Sequence, residues 1–238
     1  MSAFHSAPPL GGTVTTPNPG PRAKRAVDVV AASVALVMFA PLIAAIALAV
    51  LVALGRPVLF RQERAGLGGR TFSILKFRTM LDPALEKGLV TDEQRLTRFG
   101  KFLRSTSLDE LPGLVNVLRG EMSIVGPRPL PIAYLQHYSP TEARRHAVRP
   151  GITGLAQVRG RNLASWDDRL RWDVEYVDTV GFHTDLHVVA RTVAVVIRRS
   201  GISAVGQATC ESLIMHRTAA AQSRLVHHAG DPLTNANT

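Results

Sequence analysis

The stretch VVAASVALVMFAPLIAAIALAVLVALG, residues 29–55, decides how the whole chain is to be read. From Val29 to Leu54 it carries no charge, and only Ser33 and Pro41 interrupt its apolar character. The run exceeds the roughly 20 residues that cross a bilayer. It is too long, and its polar lead too poor in early basic residues, for a cleaved signal peptide. Length alone suggests one spanning helix. Two further features argue otherwise. Lys24 and Arg25 precede the run and Arg56, Arg61 and Arg64 follow it, so both ends ask for the cytoplasmic side. Pro41 removes a backbone donor near the middle. Each half then measures about 12 or 13 residues, roughly 18–20 Å, too short for a core of about 30 Å. A helix that breaks at Pro41 and leaves by the face it entered satisfies both features. A fully buried soluble helix is a third reading, disfavoured by apolar residues on every side. The re-entrant hairpin is the expected form.

Outward from this segment, the 238-residue chain suits one domain with loose ends. Residues 1–22, rich in Pro, Gly, Thr and Ser, read as a disordered tail, and residues 206–238 as a partly disordered one. Residues 23–56 form the membrane segment and 57–205 the soluble body. Lys and Arg number 28 against 18 acids, a formal charge of +10, which calls for an anionic partner. Aromatic residues make up only 5%, which argues against a platform for stacking single strands, so no nucleic-acid partner is expected. One cysteine, Cys210, excludes an intramolecular disulfide and a cysteine metal cluster.

In the body, PVLFRQERAGLGGRTFSILKFRTM (57–80) reads as two short strands around a glycine turn. GLGG is a weak match to a phosphate-cradling loop, because no strand–loop–helix unit encloses it. Lys76 and Arg78 flank Phe77 and so share a strand face. They are solvated edge charges or a phosphate clamp.

TRFGKFLRSTSLDELPGLVNVLRGE (97–121) supplies the partner for such a clamp. Leu108, Leu111, Leu114, Val115 and Leu118 recur at helical spacing, and Gly120 stops the run. Ser107 to Glu110 matches a capping box, although Pro112 predicts an irregular first turn. Asp109 lies by the helix start, where dipole and amides keep a carboxylate ionised. Such a group can attack phosphorus or hold a hard cation such as Mg²⁺. Capping explains one acid, not both. Arg98, Arg104, Arg119 and Arg128 crowd this pair in sequence, and arginine forks match phosphate oxygens. Pro127 and Pro129 hold the chain extended around Arg128.

RPGITGLAQVRGR (149–161) offers Arg149, Arg159 and Arg161 as further anion-facing groups. WDDRLRWDVEYVDTV (166–180) is an amphipathic helix whose tryptophans suit a core or a membrane interface. DLHVVARTVAVVIRRSG (185–201) is a second helix, too short and charged to span and suited to the interface. His183 and His187 sit four apart, but no third ligand accompanies them. The fold class expected is α+β, mainly helical. A re-entrant helix, a small β-hairpin and interfacial helices surround a cytosolic site.

KRAVD before a proline-broken apolar hairpin, RAGLGGRTFSILKFRTM, TRFGKFLRSTSLDELPGLVNVLRGEMSIVGPRPL and RPGITGLAQVRGRN together resemble the monotopic polyprenyl-phosphate phosphoglycosyl transferases, the bacterial sugar transferase family. The resemblance covers about residues 22–205 and is to the small form that consists of the catalytic domain. It implies a two-step reaction with Mg²⁺ on the cytosolic face of the bacterial inner membrane. Asp109 would attack the β-phosphorus of a UDP-sugar, expel UMP and contact Mg²⁺. Polyprenyl phosphate would then take the phosphosugar from the aspartyl intermediate. Glu110 would activate the acceptor or position the metal, and Arg128 would hold phosphate, with Lys76, Arg78, Arg104 and Arg149 as further substrate-binding residues. SAVGQATCESL (203–213) is similar to the tail of members that use amino-sugar nucleotides. The family commonly breaks its helix at Ser-Pro, where this chain has Ala40-Pro41. A membrane-anchored, non-catalytic binder of anionic lipid or polyanion would explain the charge and the anchor but leave Asp109 and Glu110 idle.

Overall fold

A computed structural model describes residues 22–84, 86, 88–160, 164–198, 212–219 and 222. Its first element, α1 (Arg22–Leu54), is a helix of 33 residues. Among the described residues it alone is long and apolar enough to cross a membrane. The expected break is corrected here: α1 runs through Pro41 without interruption, one helix rather than two joined by a loop. A proline inside a helix takes away one hydrogen bond and crowds the preceding turn, which bends a helix without having to end it.

Both ends of α1 are fastened to the same body. At the start, Lys24 pairs with Asp185 at 2.6 Å. Arg25 donates to the Val117 carbonyl at 2.6 Å. The buried Asp28 accepts from the Ser123 hydroxyl and the Ile124 amide. At the far end, Ile46 and Val50 pack with Phe77 and Leu103, and Arg78 donates to the carbonyls of Leu54 and Arg56. Between Ala32 and Ile46 no residue of α1 is buried.

The hairpin expected after α1 is present. Strand β1 (Leu59–Ala65) pairs antiparallel with β2 (Thr71–Phe77), Leu59 opposite Phe77 and Ala65 opposite Thr71. Leu67–Gly69 form the turn, Gly68 and Gly69 both at positive φ, as a tight hairpin connection requires. The short α2 (Asp92–Arg95) and α3 (Arg98–Ser105) follow. A single 3₁₀ turn, Leu108–Glu110, precedes α4 (Gly113–Arg119), which ends at Gly120 with φ 81°. The irregular start thus occurs, but the capping box does not. Ser107 is left-handed at φ 56° and its side chain caps nothing. Pro112 defers the α-helix to Gly113, so the hydroxyl has no helical N3 amide to meet.

Asn116, fully buried, pins α4 to the hairpin. Its Oδ1 accepts from the Leu75 amide at 3.0 Å and its Nδ2 donates to the Ser73 carbonyl at 2.8 Å. Strand β3 (Ser123–Val125) pairs parallel with β4 (Gly151–Thr153). Between them lie a 3₁₀ segment (Ile132–His137), α5 (Pro140–Ala143) and a second 3₁₀ turn (Arg144–Ala147). Then come α6 (Leu155–Arg159), α7 (Trp166–Thr179) and α8 (Phe182–Arg198). The alternatives for α7 resolve to core: Trp166, Leu170, Val174 and Tyr176 are buried. On α8, Val188 is buried while Phe182, Leu186 and Val193 are exposed. Beyond it, residues 213–219 form another helix docked on the body with Leu213 buried, an ordered piece inside the expected tail.

Candidate active site

The site forms where the turn before α4 meets β2 and the Pro-Arg-Pro segment. Asn116 fixes α4 along β2, which brings Glu110 opposite Lys76; Lys76 Nζ donates to Glu110 Oε1 at 2.6 Å. The same oxygen accepts from Arg128 Nη2 at 3.0 Å. Arg128 is aimed by its backbone. Gly126 donates to the Thr153 carbonyl at 2.9 Å, and Gly151 to the Pro127 carbonyl at 3.0 Å. A Cβ on Gly126 would lie 2.3 Å from the Arg149 carbonyl, so β3 and the chain before β4 can approach this closely only there. Arg145, buried with Asp173, donates to the Arg128 carbonyl at 2.6 Å. Arg64, Lys76, Glu110, Arg128 and Leu130 line one pocket.

The two adjacent acids have different surroundings. Glu110 meets both cations. Asp109, 7% exposed, accepts no hydrogen bond from any described residue. Burial and then the negative charge of Glu110 push the Asp109 carboxyl up to about 6, against the pull of Lys76, Arg128 and Arg104. Burial also acts to raise Glu110. The charges and hydrogen bonds of Arg128 and Lys76 outweigh it and hold Glu110 down to about 2. Asp109 therefore stays ionised at neutral pH, as expected, but burial leaves it a smaller margin than a helix start alone would give. At neutral pH both acids are charged, one clamped and one near its titration point. The left-handed Ser107 just before them stores local strain of order 1–3 kcal/mol, a cost that surrounding structure must offset.

Of the residues singled out by sequence, Asp109, Glu110, Lys76 and Arg128 come together, with Arg104 close enough to act on Asp109. Arg104 Nε also donates to the Thr79 hydroxyl at 3.0 Å. The structure puts Arg78 elsewhere, because β2 ends at Phe77 and the buried guanidinium turns to the C-terminal carbonyls of α1. Arg149 Nε donates to the Gly120 carbonyl at the end of α4, with Arg25 and Asp28 as its charged neighbours. Arg159 pairs with Glu175 on the surface, Arg98 and Arg119 are exposed, and Arg161 lies outside the described residues. No group of three His, Cys, Asp or Glu among the described residues could hold a metal, His183 and His187 included.

Arg64 was legible only as a charge flanking the apolar run. Burial and the nearby Arg128 lower its pKa. Strand alternation could have found it: Phe60, Gln62 and Arg64 share the face that carries Lys76.

A pocket with three cations around one clamped carboxylate, beside a buried carboxylate that no described residue hydrogen-bonds, suits an anion that brings its own phosphates. Comparisons with known proteins agree. The profile of a family described as bacterial sugar transferase matches residues 20–199. An uncharacterized sugar transferase, EpsL, of Bacillus subtilis is 49% identical over 159 residues, covering 66% of this chain and 79% of the relative. A UDP-glucose:undecaprenyl-phosphate glucose-1-phosphate transferase of Caulobacter vibrioides is 46% identical over 182 residues, 71% of this chain and 68% of the relative. The exopolysaccharide production protein ExoY of Rhizobium meliloti is 39% identical over 200 residues, 76% of this chain and 88% of the relative.

Proposed function

Since the chain belongs to the bacterial sugar transferase family and is a sugar-1-phosphate transferase, we propose that it moves a phosphosugar from a UDP-sugar to polyprenyl phosphate through an aspartyl intermediate. The observation that carries this reading is the contrast between Asp109, buried and hydrogen-bonded through its carboxylate to no described residue, and Glu110, held by Lys76 and Arg128. A carboxylate that already shares two hydrogen bonds is a poor nucleophile, and one that shares none is a better one.

The diphosphate of the donor takes up Lys76 and Arg128, and Arg64 adds charge at the pocket wall. An Asp109 oxygen bonds to the β-phosphorus, the bridging P–O bond breaks, and UMP leaves with that bonding pair. A phosphate oxygen of the lipid acceptor then attacks the same phosphorus, which frees the Asp109 carboxylate and yields the polyprenyl-diphosphate sugar. Glu110 stays ionised throughout and aims the two cations. One protein carboxylate completed by substrate phosphates and water is a donor set that fits Mg²⁺. Asp109 would hold the ion, which when bound offsets negative charge on the diphosphate. The non-catalytic binder is set aside, because it gives the acid pair no task.

The fastening of α1 supports a membrane placement. A straight helix of 33 residues is about 50 Å long, yet Lys24 and Leu54 are tied to one body. A body fastened to both ends would keep them on one side of a bilayer, and the basic residues flanking α1 favour the cytosolic face of the inner membrane. The exposed apolar residues of α8 suit the interface beside it. UDP-glucose is the donor to try first, because a relative's name specifies it. The test is release of UMP from UDP-glucose by the purified protein in detergent with Mg²⁺ and polyprenyl phosphate. Failure across a panel of UDP-sugars, amino sugars included, would reject the reading.

A further inference from the structure

The family profile ends at residue 199, yet the chain returns to the body beyond it. Leu213, with 0% exposure, forms an apolar cluster with Trp166 and Leu170 of α7, and Leu130, Tyr134 and Tyr138 pack against that cluster. The Tyr134 hydroxyl donates to the Ser212 hydroxyl and accepts from the Leu213 amide, both at 3.3 Å. At the other end of the segment Arg217 reaches Glu142 of α5 and, at 3.2 Å, Asp167 in the first turn of α7. A short polar-ended segment held by an apolar anchor and a charged clasp is docked in one register.

Its contact with the site runs through Leu130. This residue packs against the cluster that holds Leu213 and also lines the pocket beside Arg128 and Pro129. The Leu130 carbonyl accepts from the Ala65 amide at 3.1 Å, the residue after Arg64 in the same pocket wall. Tyr134 belongs to the 3₁₀ segment that begins three residues after Pro129. With the Leu213 side chain removed, the cluster that supports Leu130 would hold a void, and a well-packed wall gives way toward a void.

We propose that residues 212–219 are a strap that positions the Leu130 wall, and through it Arg128 and Arg64, for the donor diphosphate. Leu213 is the anchor, a positioning residue that touches no substrate. The proposal rests on reading this pocket as the diphosphate site.

The full-length chain tests it in two ways. With UDP-glucose as probe, Leu213→Ala should raise KM about tenfold, as expected for misplaced binding groups. The kcat should stay within about twofold, since the reacting carboxylate is not moved. Backbone hydrogen exchange should quicken across residues 128–138. Tyr134→Phe keeps the ring and loses the two hydrogen bonds, and Arg217→Gln loses the clasp; both should shift KM and exchange the same way by less. If Leu213→Ala does not fold, Tyr134→Phe decides. A lower Tm with unchanged KM and unchanged exchange over 128–138 would reduce the segment to a stabilising cover and overturn the proposal. A wild type that turns over no UDP-sugar would overturn the substrate reading instead, and the exchange measurement would still decide the strap.

Discussion

Glu110 Oε1 lies 3.0 Å from Arg128 Nη2, two residues 18 apart in sequence that line one pocket. The same oxygen takes Lys76 Nζ at 2.6 Å. One carboxylate thus occupies the cations that a phosphate would otherwise find.

Replacing Glu110 by Gln should separate binding from turnover. Without the competing charge, Lys76 and Arg128 hold inorganic pyrophosphate more tightly, while their aim is lost and the rate falls about 100-fold, the scale of losing a preorganised charged contact. Calorimetric titration with pyrophosphate and initial rates of UMP release are the two measurements. Equal binding and equal rates in the variant would show the pair to be incidental.

Arg128→Ala should lower kcat/KM by about 100-fold or more, and Arg128→Lys should recover only part, because a point charge replaces a planar fork. A fully active alanine variant would make Arg128 a solvated surface residue.

Asp109→Asn should abolish turnover while the chain still folds and inserts, since shape is kept and the attacking charge is gone. Wild-type protein given UDP-glucose and no acceptor should release at most one equivalent of UMP and gain the mass of a phosphosugar. Intact-protein mass spectrometry reads the adduct. UMP release that needs the acceptor would favour direct transfer instead.

Single cysteines at positions 20 and 60 should both react with an impermeant reagent only after cells are permeabilised. Labelling of one alone in intact cells means a full span. Pro41→Leu restores the missing helical hydrogen bond and should shift part of the population toward a span.

His146 should govern part of the acid sensitivity. Burial, then the charge of Arg145, lowers it to about 3, against the opposing Gly66 carbonyl at 3.3 Å. The unfolded chain titrates near 6.5, so the folded state binds this proton more weakly. The stabilisation is full above about pH 6.5 and is lost as pH falls toward about 3. At pH 5 the loss is about 2 kcal/mol. Urea unfolding of His146→Asn, whose amide can replace the contact with Gly66, should show a flatter decline between pH 6.5 and 5. Equal slopes would mean that His146 titrates normally.

Much of the fold was legible because its signals are local. The apolar run of α1, the alternation around Gly66 to Gly69 and the Gly120 stop each depend on neighbours within a turn or two. Ser107 misled for the same reason. Its spacing to Glu110 suits a capping box, but the distant cations Lys76 and Arg128 bind that carboxylate more strongly than a helix amide can.

The sequence by itself determined an acid pair, a proline-bracketed arginine and one long apolar segment, because residue type and spacing carry that information. Which arginines share the pocket was decided only in three dimensions. Arg78 and Arg149 were drawn off to the carbonyl ends of α1 and α4, and Arg64 was brought in by strand register. The tertiary structure also set Asp109 and Glu110 apart. Neighbours in sequence share composition, but burial and charge come from whatever the chain packs against each side, and Lys76 and Arg128 hydrogen-bond only Glu110 of the two.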